Sequence, residues 1–181
     1  MKKSTLLTTI LLVFVTLLST NLNAQEFKDL DKSPMDVASF PSSYKESNKL
    51  VKIAYSRPQL KGRDLQKLAT NGEVWRTGAN EASEITFYID MKLGSKTIKT
   101  GTYSLFTIPG EKEWTIILSS DINVWGAYSY NEANDVVRFN VPVKIEEELL
   151  ETFSIAFEKS NDGVDMHLGW GNARIAVPFT K

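Results

Sequence analysis

The chain has 181 residues, with 21 lysines and arginines against 22 aspartates and glutamates, one histidine and no cysteine. Such a balance gives no global reason to expect nucleic acid as a partner. Without cysteine there are no disulfides, and with a lone histidine the common zinc and copper sites are excluded, so no metal or cofactor is expected and stability must come from packing.

The chain opens with Lys2 and Lys3, continues through an apolar stretch from Leu6 to Leu18, and reaches the small-residue site Leu22-Asn23-Ala24. A charged head, a short apolar middle and a small residue at the cut describe a secretory signal peptide over residues 1–24. The apolar part is short for the ~20 residues that a spanning helix needs. Export to the periplasm or out of the cell is the expectation, with no cysteine for a lipid anchor. No second apolar run of spanning length follows, so no integral membrane protein is expected after cleavage. The remaining length suits one domain with a core of ordinary size.

Residues 25–48 are polar and interrupted by Pro34 and Pro41, which reads as an extended or loosely docked arm. Residues 49–181 read as a single β domain, because short apolar runs of period two recur between turn residues. Val51, Ile53 and Tyr55 share one face; Asp64 followed by Leu65 and Leu68 caps at most one short helix. Ile85, Phe87 and Ile89 form the next set. The segment from Thr102 to Ile108 is apolar on both faces, as a central strand covered on both sides would be. Trp114, Ile116 and Leu118 follow, then Val137, Phe139, Val141 and Val143. Phe153, Ile155 and Phe157 come next, then Val164, Met166, Leu168 and Trp170, and finally Ile175, Val177 and Phe179. Leu93-Gly94-Ser95, Pro109-Gly110 and Asn161-Asp162-Gly163 supply turns. With no βαβ alternation, the pattern predicts an all-β antiparallel β-sandwich, with a closed β-barrel as the alternative.

Three loops hold residue types that can do chemistry. Val74-Trp75-Arg76-Thr77-Gly78-Ala79-Asn80-Glu81 breaks the strand alternation. In it Arg76 offers five donors in a fork suited to carboxylate or phosphate, Asn80 offers donor and acceptor, and Glu81 can accept a proton or a hydroxyl. The plainer alternative is that Arg76 and Glu81 satisfy each other. Tyr55-Ser56-Arg57-Pro58 with Lys61-Gly62-Arg63 is a basic cluster, and convergence of Arg57 with Arg76 would make an anion clamp. A solvated basic turn offset by Glu146-Glu147-Glu148 explains it as well. Trp125-Gly126-Ala127-Tyr128 can offer a flat aromatic platform or pack a corner of the sandwich; exposure of Trp125 and Tyr128 decides between them. No GxSxG elbow and no GxxxxGK loop is present. His167 alternates with Met166 and Leu168 and reads as a surface residue.

The stretches YSRPQLKGR, VWRTGANEASEITF, GTYSLFTIPGEKEWTII, WGAYSY and DVVRFNV occur in an order that resembles domain-of-unknown-function family 2911 (DUF2911), found in exported bacterial envelope proteins. The resemblance runs from about Ser33 to Pro178 and implies a compact all-β domain with no established activity. The family's polar signature falls on Arg57, Lys61, Gly62, Arg63, Trp75, Arg76, Thr77, Gly78, Asn80, Glu81, Trp125, Gly126 and Tyr128. Two places depart from the family pattern: Asp64-Leu65-Gln66 stands where an apolar pair and a glycine are usual, and Gly171 stands where the family looks acidic. If that acid belongs to a site, the activity of this chain is altered.

Three readings follow. The first is a binding module in which Arg57, Arg76, Asn80 and Glu81 orient a small polar or anionic ligand against Trp75, Trp125 and Tyr128. The second is a hydrolase or lyase with Glu81 as acid or base. The third is a structural or interaction protein of the envelope. Oligomeric state is not legible.

Overall fold

The structure is a computed structural model and describes residues 26–181. The expected signal peptide therefore lies outside the described residues. The chain divides into a unit ending at Leu30, whose described residues 26–30 carry no regular secondary structure, and a unit of Asp31–Lys181 that holds every described strand. The strands are β1 (Met35–Phe40), β2 (Val51–Ser56), β3 (Ser83–Phe87), β4 (Met91–Leu93), β5 (Lys96–Ile98), β6 (Gly101–Ile108), β7 (Glu113–Ser119), β8 (Asp135–Pro142), β9 (Lys144–Lys159) and β10 (Gly163–Thr180). They form two antiparallel sheets, β1-β2-β3-β6-β7-β8 and β5-β4-β10-β9, as in the expected sandwich and not a closed barrel. No helix among the described residues is long and apolar enough to cross a membrane.

Period-two alternation places the core. Val51, Ile53 and Tyr55 of β2, Ile85 and Phe87 of β3, and Trp114, Ile116 and Leu118 of β7 are buried against Met166, Leu168, Trp170, Ile175, Val177 and Phe179 of β10. The centre is aromatic: Trp75 stacks on Trp170 at 5.4 Å and meets the Phe153 ring at 5.1 Å and the Trp114 ring at 6.1 Å, both edge-on. Such contacts add to the burial of large rings.

Residues 35–40, within the segment expected as an arm, pair with β2 over their whole length, from Met35 opposite Ser56 to Phe40 opposite Val51. Polar composition conceals this edge strand, because only one side of it meets the body. The short helix at Asp64 is a 3-10 turn, Leu65–Lys67, in which the Asp64 carboxylate accepts from the Gln66 amide at 2.9 Å. Beside this turn β9 and β10 slip register between Gly169 and Gly171 and again between Gly171 and Ala173. The ladder lost there is replaced by side chains of β10. Asn172 donates to Glu146 O at 2.7 Å, Arg174 to Glu148 O at 2.9 Å, and Trp170 Nε1 to Glu151 O at 3.2 Å. Gly171, at φ +57°, supplies the left-handed residue of this bulge.

β6 is two-faced, as its sequence predicts. Leu105 enters the main core, whereas Phe106 joins Ile117 and Ala82 in a second cluster on the outer face, packed by Val74, Val124, Ala127 and Tyr130. That cluster is roofed by the connection from β7 to β8, which two side-chain bonds fasten: Tyr130 donates to Asp135 Oδ2 at 2.6 Å and Asn134 Nδ2 to Asp121 Oδ2 at 2.8 Å. Asp135 has a side chain only 6% exposed, and its Oδ1 has no partner. Burial pushes its carboxyl above the ordinary 3.8, against the opposing pull of the Tyr130 hydroxyl and Arg138.

Two measurements check this account. Trp170→Ala is expected to cost about 3–5 kcal/mol in urea unfolding, because it empties the aromatic centre. A carboxyl with a raised folded pKa leaves stability fully present below its ordinary value of 3.8 and lost as pH rises through the raised value. Asp135→Asn should therefore gain on the natural protein as pH rises through that window. A stability difference that stays constant from acid to neutral pH would contradict the burial of this carboxyl.

Candidate functional site

The site is built on the connection between the 3-10 turn and β3. Trp75 exchanges both backbone bonds with Thr107 of β6, N to O at 2.7 Å and 2.9 Å, so its ring is fixed in the core before the chain turns away. The turn is made at Thr77, a buried β-branched residue at φ +55°, an unfavourable conformation that its surroundings must enforce. They do so with buried bonds. The Thr77 hydroxyl lies 3.2 Å from Thr107 Oγ1 and 3.3 Å from Trp75 O, and Ser83 Oγ donates to Thr77 O at 2.6 Å. Gly78 then passes against the end of β2, where an added Cβ would sit 3.1 Å from Ser56 O and from Ser83 Oγ. Asn80, at φ +62°, completes the reversal.

The connection from β7 to β8 is stitched to this loop. Gly126 N donates to Asn80 O and Ala82 N to Val124 O, each at 2.9 Å, and Asn123 N donates to Glu84 Oε1 at 2.6 Å. Gly126 takes φ +68° with the Tyr128 ring folded over it, so close that a Cβ there would lie 2.6 Å from the ring. Between the two loops lies a hollow of about 260 Å³, lined among others by Thr70, Glu73, Val74, Trp75, Arg76 and Tyr128.

Arg76 is the unusual member. Of the five arginines in the chain, Arg57, Arg63, Arg138 and Arg174 are each engaged by carboxylates, hydroxyls or backbone carbonyls. Arg76 forms no side-chain hydrogen bond or ion pair among the described residues, and its Nε is buried. Glu73, on the same hollow, is exposed and likewise unengaged.

Arg57 does not join Arg76. Its guanidinium donates to Asp36 at 2.9 Å, to Phe153 O at 3.1 Å and to Ser154 Oγ at 2.8 Å, tying β1 to β9, and it does not line the hollow. The two-arginine clamp expected from the sequence is thus not assembled, because distant partners consume one half of it. Trp75, 6% exposed, is a core anchor that shows only part of itself to the hollow. Asn80 serves the turn and reaches Asp31, whose carboxyl is held below its ordinary range by the Ser33 amide and, secondarily, by Asn80. Glu81 is exposed and lies outside the lining; only its backbone bridges to Trp125. Trp125 and Tyr128 are 59% and 86% exposed, so they do not pack a corner, and Tyr128 borders the hollow.

The basic turn Leu60–Arg63 has Lys61 and Gly62 both left-handed; the Glu151 carboxylate accepts from the Lys61 backbone amide at 2.6 Å, and Arg63 donates to Leu60 O and Gln59 O, so neither Lys61 nor Arg63 forms an ion pair with Glu146–Glu148 among the described residues. The two departures from the family pattern meet each other: a Cβ at Gly171 would touch the Leu65 side chain at 3.7 Å. Neither lines the hollow. Sequence reasoning missed Glu73 and Thr70. Asn71-Gly72 was their signal, a turn pair that folds Glu73 N back onto Thr70 O at 3.2 Å with Gly72 at φ +79°. Because Arg57 joins strands and not ligand, Arg57→Ala is expected to cost about 1.5–3 kcal/mol in chemical denaturation. An Arg57→Ala protein as stable as the natural one would contradict this strand-joining role.

The family model described as "Protein of unknown function (DUF2911)" matches residues 33–179, from just before β1 to the last residues of β10. No curated protein and no solved structure matches the chain. The match takes in both sheets and every residue of the hollow, and the chain belongs to the DUF2911 family.

Proposed function

We propose that this protein is an exported binding module that holds a small ligand by an anionic group on Arg76. Export is supported by the charged, apolar and small-residue succession over residues 1–24. Binding is supported above all by the condition of Arg76, the one arginine whose guanidinium finds no partner among the described residues and whose Nε is closed off from water. The other two guanidinium nitrogens are neither bonded nor buried, so an anionic ligand can reach them, and hydrogen bonds to a charged group contribute about 1.5–3 kcal/mol. The planar fork suits a carboxylate or phosphate gripped by two parallel bonds.

An enzyme built on Glu81 is less well supported, because that carboxylate is exposed and outside the hollow. A purely structural role describes Arg57 well and Arg76 poorly. In a thermal-shift screen against small carboxylates and phosphates, a ligand at a hundred times its Kd should add about 2.7 kcal/mol of stability. Arg76→Gln should abolish the ligand-dependent rise in Tm while leaving the unliganded protein at least as stable as before. A rise that survives Arg76→Gln would overturn the assignment.

A further inference from the structure

We infer that the ligand is a small zwitterion, a molecule of amino-acid size carrying an ammonium as well as a carboxylate; this rests on the binding role of Arg76 proposed above. The walls of the hollow hold one cation and one anion, Arg76 and Glu73, and no ion pair joins them. Contact between exposed opposite charges contributes only about 0–1 kcal/mol, so little draws the two side chains together. The Thr70–Glu73 reversal sets the backbone of Glu73, and the Trp75–Thr107 bridge and the Thr77 turn set that of Arg76.

Two unneutralised charges of opposite sign facing one cavity are complementary to a molecule that carries both. Its carboxylate pairs with the Arg76 fork and its ammonium with the Glu73 carboxylate. Tyr128 also lines the hollow, and a phenol face attracts an ammonium that lies over it. Volume limits the rest. A hollow of about 260 Å³ lies below the roughly 300–1,000 Å³ of sites that enclose drug-sized ligands, a size that suits one amino acid. Thr70 offers a hydroxyl at the same wall for a polar side chain.

The test is titration calorimetry of the purified protein with L-alanine, L-phenylalanine and β-alanine, with the N-acetyl derivatives and primary amides of the first two, and with glucuronate as an acid that lacks nitrogen. The free amino acids should bind, and both N-acetylation and amidation should weaken binding tenfold or more. Glu73→Gln, which removes an exposed and unbonded carboxylate and so leaves the fold intact, should erase the penalty of N-acetylation while keeping the penalty of amidation. Arg76→Gln should remove binding of all of them. N-acetyl amino acids or glucuronate binding as tightly as the free amino acids would overturn the zwitterion and leave Arg76 as an anion site. Failure of every carboxylate in the calorimeter, and of every carboxylate and phosphate in the thermal screen, would end both readings.

Discussion

The burial of Trp75 governs the placement of everything around it. Its ring lies against Trp170 and Phe153, contributed by the second sheet, while its backbone is bonded to β6 of the first. A residue held by both layers cannot shift without opening the core, so the residues beside it are held as firmly as a strand would hold them. Glu73 and Arg76 are in that position. Side chains on an ordinary surface loop move to satisfy themselves; these are carried on a loop whose centre is pinned.

A second layer depends on the first. The outer cluster of Ala82, Phe106 and Ile117 exists because β6 and β7 are apolar on both faces, and it must be covered. The cover is the connection that carries Trp125 and Tyr128, bonded at one end to Asn80 and Ala82 and at the other through Tyr130 to Asp135. Burying a carboxylate with one oxygen unpaired is a cost, and it falls at the point where the cover must not lift. The burial that pushes the Asp135 carboxyl up acts on Tyr130 as well: desolvation, with the Asp135 carboxylate beside it, pushes the phenol far above its ordinary value and keeps it a donor. The exposed aromatic rings thus stand on a hydrophobic foundation.

Strands were legible wherever one face is buried, because period-two alternation records burial directly; β3 and β8 follow it residue for residue, and β2 does so from Val51 to Tyr55. β1 was not legible, since Met35 and Val37 are exposed and its attachment comes from backbone pairing and the Asp36–Arg57 ion pair, which composition does not register. The irregularity of β9 against β10 was hidden for a similar reason: its lost ladder bonds are supplied by Asn172, Arg174 and Trp170, ordinary residues whose task depends on a bulge. In the site, the loop from Val74 to Glu81 stood out by its broken alternation, but the division of labour within it did not. Arg57 and Arg76 are the same residue type in comparable surroundings of sequence. What separates them is whether Asp36, Phe153 O and Ser154 arrive from distant parts of the chain.

Arg63 and Arg174 donate to carbonyls near them in sequence, and Arg76 does not. Trp75 O already accepts from Thr107 N, Arg76 O from Ser83 N, Thr77 O from Ser83 Oγ, Thr70 O from Glu73 N and Ala127 O from Tyr130 N. Every one of these bonds belongs to the framework that holds Trp75, Thr77 and the overlying loop in place. The backbone that carries Arg76 is thus set without any contribution from its side chain. For the binding proposed at Arg76, a backbone already held in this way would leave only the side chain to be ordered.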